Sequence, residues 1–224
     1  YPVMREFYSE RNVVVEERRM RTDDDPEGKL YEAFMGTAIL AHPYRMPTIG
    51  WMSDIEQASA GAAREFRAKY YVPENCVGAL VGNFDVEVAK ELLNRYFGPI
   101  PAAVQPVPRV KTIEPPQIGV RRVEVLFDAE PQLMMGYHKP NYPDPEAYVF
   151  TVIANIVRDM GNSSRFYQEL VKTGLATSAS VYEELPGQRY PNLFMVQATP
   201  IAPHTTEELE GEILRILNAL ATDG

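Results

Sequence analysis

The sequence is short of the residues that usually announce a chemistry. One cysteine, Cys76, stands in 224 residues. That excludes an intrachain disulfide and leaves the fold to its apolar core. Histidine occurs three times, at His42, His138 and His204, and never in an HxxxH, HxxEH or HxH arrangement, so no ready-made metal motif is present. Ser163-Ser164 stands outside the G-x-S-x-G setting of a hydrolase nucleophile and reads as a helix cap. No run approaches the ~20 consecutive apolar residues of a membrane-spanning helix. Basic residues are in deficit: 22 Lys and Arg against 31 Asp and Glu leave a net charge of −9. That balance argues against a nucleic-acid surface, which needs clustered cations to neutralise phosphates, and against attraction to anionic membranes. No initiator Met and no signal peptide are visible, and Tyr1 is followed at once by Arg5, Glu6 and Glu10. The sequence reads as an internal fragment with both ends cut.

What is present is a helix-and-strand pattern in two halves. Helices are expected over 1–20 and 29–41, separated by Asp23-Asp24-Asp25-Pro26-Glu27-Gly28, where Pro and Gly interrupt the helical pattern. The acidic run imitates the opening of a calcium loop. The twelfth position, which that loop needs as a bidentate Glu, is Phe34, so a solvated turn is expected. Ser53 and Glu56 have capping-box spacing and open a helix to about Tyr70. VGALVG at 77–82 reads as a strand with Cys76 buried beside it, and Asp85 caps a further helix ending at Gly98. Six prolines between 99 and 119 mark an interdomain linker. Beyond it, strands are expected at 120–127, 132–138, 175–184 and 192–199. Helices are expected at 144–160 and 163–172, and a last one opens on Thr205 and Glu208, again spaced as a capping box.

Glu10 and Glu17 lie seven residues apart on the first helix, two turns along nearly one face. Such a pair could supply a metal ligand and a supporting acid–base group. The same spacing is also what a solvated helix face looks like, and composition and spacing leave function open.

Several stretches together resemble the M16 metallopeptidases, the family of pitrilysin, insulin-degrading enzyme and mitochondrial processing peptidase. Glu10-Arg11-Asn12-Val13-Val14-Val15-Glu16-Glu17 resembles the family's E-R-x-x-V/I-x-x-E helix. His42-Pro43-Tyr44 with Pro47 and Gly50 resembles its H-P-Y…P…G loop. Tyr70-Tyr71-Val72-Pro73-Glu74-Asn75 and Val81-Gly82-Asn83-Phe84-Asp85 resemble a later passage, and Ser163-Ser164-Arg165-Phe166 with Gly174-Leu175-Ala176 resembles the signature of its second domain.

The resemblance implies an α+β fold of two related domains, each with helices packed on a mostly antiparallel sheet. Residues 1–98 would be the C-terminal part of a first, zinc-bearing domain, 99–119 the linker, and 120–224 a second domain cut at its C-terminus. It implies a zinc-dependent endopeptidase acting on peptides or unfolded segments through a metal-activated water. An H-x-x-E-H motif, absent from these residues, would lie upstream with two His ligands and the general base. Glu17 would be the third Zn²⁺ ligand and Glu10 a catalysis-supporting carboxylate, and the fragment alone would be inactive. Many members hold substrate with an Arg and a Tyr seven apart, and here the matching positions are Val171 and Thr177. That implies a heterodimer whose M16-like partner carries the pair, as in bacterial two-subunit members, which are often exported to the periplasm. The alternative is a non-catalytic member serving as an assembly or peptide-binding subunit.

Overall fold

The computed structural model describes residues 6–158 and 161–222. Its contacts gather into two compact units. One holds the chain up to Arg18 together with Thr48–Ile113, and the other holds Arg19–Pro47 together with the chain from Glu114 onward.

The first unit is helical. Helix α1 spans Phe7–Arg18 and packs against α3, Met52–Gln57. Then come α4, Ala60–Tyr70, and α5, Val86–Phe97. The expected single helix from 53 to 70 is broken in two. Trp51, not Ser53, sits at the N-cap of α3 and makes no side-chain cap bond. A new start at Ser59, whose Oγ accepts the Ala62 N–H at 3.1 Å, opens α4. Asp85 caps α5 as expected, accepting from Glu87 and Val88 at 2.9 and 3.0 Å.

The strand expected at 77–82 does not form. Val77 is fully exposed and Val81 nearly so, and no described residue offers them a ladder. A strand's N–H and C=O groups need a neighbouring strand, and an apolar run without one is merely extended chain. Cys76 is correspondingly exposed, against expectation.

In the second unit the chain passes through a π turn, Arg19–Asp23, and then enters α2, Pro26–Ala38. Asp25 accepts the Gly28 N–H at 2.7 Å and Pro26 takes the first helical position, so the acidic run serves as a helix start. Gly28 is needed because a Cβ there would lie 2.0 Å from the Arg21 carbonyl oxygen.

The sheet of this unit is antiparallel with order β1-β3-β2: β1 is Leu133–Lys139, β2 Ala176–Leu185 and β3 Asn192–Pro200. These answer three of the expected strands. The fourth, at 120–127, is absent for the same reason as 77–82: no described backbone pairs with it. Helices α6, Pro145–Val157, and α7, Thr206–Thr222, pack on the sheet. The end expected for α6, at Asp159 and Met160, lies outside the described residues, as does the start expected for α1 at 1–5. Within the stretch 163–172, expected as a short helix, Arg165 and Phe166 are α-helical and run on into a π-helix, Tyr167–Val171, with Ser164 Oγ accepting the Tyr167 N–H.

The core of this unit joins Val157, Phe166, Leu170, Phe194, Val196, Leu209, Ile213 and Ile216, all at most 2% exposed. Each such aliphatic or aromatic side chain contributes roughly 1.5–3 kcal/mol on leaving water. The capping box at the head of α7 is reciprocal: Glu208 N–H donates to Thr205 Oγ1, and Thr205 N–H donates to the Glu208 carboxylate, both at 3.2 Å. Phe34 of α2 lies over Gly136 of β1, where a Cβ would come within 2.5 Å of the ring.

Candidate functional site

Helix α1 carries both candidate carboxylates, Glu10 exposed and Glu17 half-buried. What fixes the helix is a second pair, each one residue further on. Arg11 donates to the carbonyls of Glu56 and Ala58 at 2.8 and 3.3 Å, and its guanidinium lies over the Tyr8 ring at 5.2 Å. Arg18, 3% exposed, donates to the Gly50 carbonyl at 2.8 Å and lies over the Trp51 ring at 5.5 Å. Those bonds cap carbonyls of the loop and helix at 50–58.

Glu-Arg recurs seven residues apart, at 10–11 and 17–18. Consecutive helix residues point about 100° apart. The arginines therefore seat one face of α1 while the glutamates occupy the neighbouring one. The sequence shows the repeat but not its meaning, because the arginines' acceptors are backbone oxygens some 32 to 47 residues away.

The histidines have other work. His42, buried, accepts the Tyr44 N–H at its Nδ1, and its ring lies 4.7 Å from that of Tyr44 and 4.9 Å from that of Tyr190. His138 Nε2 lies 3.0 Å from the Ala38 carbonyl, and His204 Nδ1 lies 3.0 Å from the Glu208 carboxylate.

The chain leaving α2 is clamped in the same region. The Glu114 carboxylate accepts the N–H groups of Leu40, Ala41 and His42 at 2.7, 2.8 and 2.9 Å. Arg121 donates to the carbonyls of Thr37 and Ala38. Partial burial alone would raise the Glu114 pKa. The three N–H donors and the nearby His138 outweigh it and hold the carboxyl below its ordinary value.

Among the described residues no group of three or more His, Cys, Asp and Glu side chains could hold a metal ion. Glu17 offers one oxygen ligand, whereas a catalytic zinc site takes three protein ligands and an open position. The described residues by themselves do not fit a zinc ion, and no reaction step follows from them. Val171 ends the second π turn, and Thr177 lies in β2 with its hydroxyl on the Thr199 carbonyl. Neither side chain can do what an Arg or a Tyr would do for a substrate backbone.

The chain matches the model of the Peptidase M16 inactive domain over residues 57–224. It is 32% identical over 221 residues to a zinc protease, PqqE, of Helicobacter pylori, covering 96% of this chain and 49% of that protein. It is also 32% identical over 185 residues to an uncharacterized zinc protease of Mycobacterium leprae, covering 79% of this chain and 39% of that protein. In structure it is similar to a protease from Helicobacter pylori, with a TM-score of 0.89 at 31% identity over 96% of this chain and 52% of that one. The fold is shared with an M16 inactive domain from Pseudomonas fluorescens, with a TM-score of 0.73 at 17% identity over 96% of this chain and 51% of that one. The chain thus spans about half the length of these relatives or less. Helix α1, with Glu10 and Glu17, precedes the stretch matched by the inactive-domain model.

Proposed function

Because the chain belongs to the M16 peptidase family, we propose that it is part of a zinc-dependent endopeptidase in which Glu17 is a metal ligand and Glu10 supports catalysis. On this reading 1–98 and 120–224 are portions of two related domains, with 99–119 the link between them. The observation that carries the proposal is the seating of α1. Arg11 and Arg18 fix the helix through backbone carbonyls and aromatic rings, which holds the carboxylate row at a set azimuth. A metal ligand has to be held by its surroundings in this way, and a solvated helix face does not. Zinc, when bound, lowers the pKa of its water and polarises a scissile carbonyl. This chain's part is one carboxylate arm, with the remaining ligands coming from residues beyond these 224.

A second reading is favoured by a different observation. The model matched over residues 57–224 is described as the inactive domain. On that reading the chain belongs to a non-catalytic M16-like subunit that binds peptide or serves assembly. On the first reading, by contrast, Val171 and Thr177 leave the Arg/Tyr pair to an M16-like partner of the zinc-bearing subunit. Zinc content of the full-length protein separates the two. About one zinc per chain, largely lost in Glu17→Gln, supports the peptidase. A metal-free wild type would remove it and leave the binding subunit.

A further inference from the structure

Every backbone N–H from Leu40 to Tyr44 ends on a side chain that can take up a proton. Glu114 accepts those of Leu40, Ala41 and His42. Pro43 has none to give, and Tyr44 donates to His42 Nδ1 at 3.2 Å. Helices and sheets satisfy such donors with carbonyls, which do not titrate. Here both acceptors are bases, and each loses accepting capacity when it gains a proton.

His42 is the more tightly enclosed of the two. It is 6% exposed, and its ring packs against those of Tyr44 and Tyr190. Because Nδ1 accepts, the neutral ring carries its hydrogen on Nε2. Nε2 is itself buried and has no hydrogen-bond partner among the described residues. A second proton has to go on Nδ1, where it would point at the Tyr44 N–H. The charged ring would then hold two buried donors and no acceptor. These contacts all lie within one compact unit and are enclosed already, so they do not depend on any surface being open.

The charged groups around this corner come from three other places. Arg189, before β3, lies over the Tyr190 ring at 5.7 Å. Arg121 holds the carbonyls of Thr37 and Ala38, and Arg45, on the segment itself, holds that of Leu40. His138 of β1 behaves oppositely to His42: its Nε2 faces the Ala38 carbonyl, which can only accept, so that ring donates whether neutral or charged. Glu114 is the one carboxylate among these groups, and its oxygens are taken by N–H groups. We propose that residues 40–44 form an acid-released latch between the exit of α2 and the β2–β3 connection, opened at Tyr44 by protonation of His42 and afterwards at 40–42 by protonation of Glu114. Histidine ordinarily titrates between pH 5 and 8. Glu114, despite the opposing effect of burial, is held below 4.5 by its three donors and His138. With the latch closed, Tyr44 sits against Tyr190 and beside Gly187. Opening it frees that corner in acid while the ladders of β1, β2 and β3 stay paired.

The test is amide hydrogen exchange on the full-length protein from pH 7 to 3.5, expressed as protection factors so that the intrinsic pH dependence of exchange drops out. In the wild type the Tyr44 amide is expected to lose at least tenfold in protection between pH 7 and 4.5. Leu40, Ala41 and His42 should keep theirs over that range and lose it below. His42→Asn supplies a side-chain oxygen that can accept the Tyr44 N–H and does not titrate, so its Tyr44 protection should hold within about twofold down to pH 4.5. Glu114→Gln should weaken 40–42 already at pH 7 and leave the Tyr44 step in place. If His42→Asn does not fold, the ring-nitrogen NMR signals of wild-type His42 decide. They should show an unprotonated Nδ1 at pH 7, whose protonation runs in step with the loss at Tyr44. Tyr44 protection that stays flat to pH 4.5, a loss that persists in His42→Asn, a ring already protonated at pH 7, or a loss that reaches 133–139 at the same pH overturns the latch. None of these readouts needs zinc or cleavage, so the latch and the peptidase reading fail separately.

Discussion

Glu114 reaches back 72 residues to His42 and holds its N–H at 2.9 Å, together with those of Leu40 and Ala41. Three donors in a row converge on one carboxylate. The segment that carries Glu114 is proline-rich and looks like a simple connector, yet this residue closes the chain that leaves α2.

The bonds to Glu114 make stability depend on acid. Its carboxyl is held below the ordinary value of about 4.5 by three backbone donors and His138, against the opposing effect of burial. A depressed carboxyl contributes stability that is fully present above the unfolded pKa and is lost as pH falls through the folded one. Glu114→Gln should therefore lower the melting temperature at pH 7, by the equivalent of roughly 1–2 kcal/mol. The gap from wild type should close as pH is taken well below 4.5. Thermal melts of both proteins across pH 3–7 check this, and a gap that stays constant would count against it.

Gly28 has no room for a side chain. A Cβ would meet the Arg21 carbonyl oxygen at 2.0 Å and Thr22 Cα at 2.8 Å, both backbone atoms that cannot swing aside. Gly28→Ala should destabilise the fold by about 2–4 kcal/mol, overriding the better helix propensity of alanine. Urea unfolding midpoints would show it, whereas Gly211→Ala on α7, where nothing lies within 4 Å, should be neutral or mildly stabilising.

Arg18→Met removes the bond to the Gly50 carbonyl and the contact over Trp51 while keeping most of the bulk. If α1 presents a metal ligand, zinc affinity of the full-length protein should fall by ~10–100-fold, the usual effect of losing a group that orients a ligand. Competition against a chromogenic chelator measures it. Unchanged affinity would mean that Arg18 only fastens the helix.

In the core, Ile213→Ala empties a fully buried site between α7 and the sheet. It should cost about 2–5 kcal/mol. Leu214→Ala, one residue on and outside the buried cluster, should cost less, and equal losses in denaturant unfolding would contradict the packing described.

The features legible in the sequence are those whose physics is local. Asp85, Thr205 and Glu208 announce their caps because donor and acceptor lie within three residues. The strands at β1, β2 and β3 announce themselves by composition and find partners in one another. The runs at 77–82 and 120–127 have the same composition and form no strand, because pairing depends on a neighbour that local pattern cannot supply. Of the candidate site, Glu10 and Glu17 could be singled out by spacing and resemblance. The arginines that seat them could not be assigned, since their acceptors are main-chain oxygens that no side-chain pattern marks.

The repeat on α1 also makes the helix behave as a threaded shaft. Along such a shaft advance and rotation are one motion, about 1.5 Å and 100° per residue. With Arg11 and Arg18 engaged, the shaft is keyed at two points, and Glu17 can neither slide nor turn without withdrawing both keys. A one-residue insertion between Arg11 and Glu17 would swing the two ends out of phase by a quarter-turn or more, a fault that no small backbone adjustment can absorb. Length between the keys is therefore held more tightly than the identity of most residues that fill it.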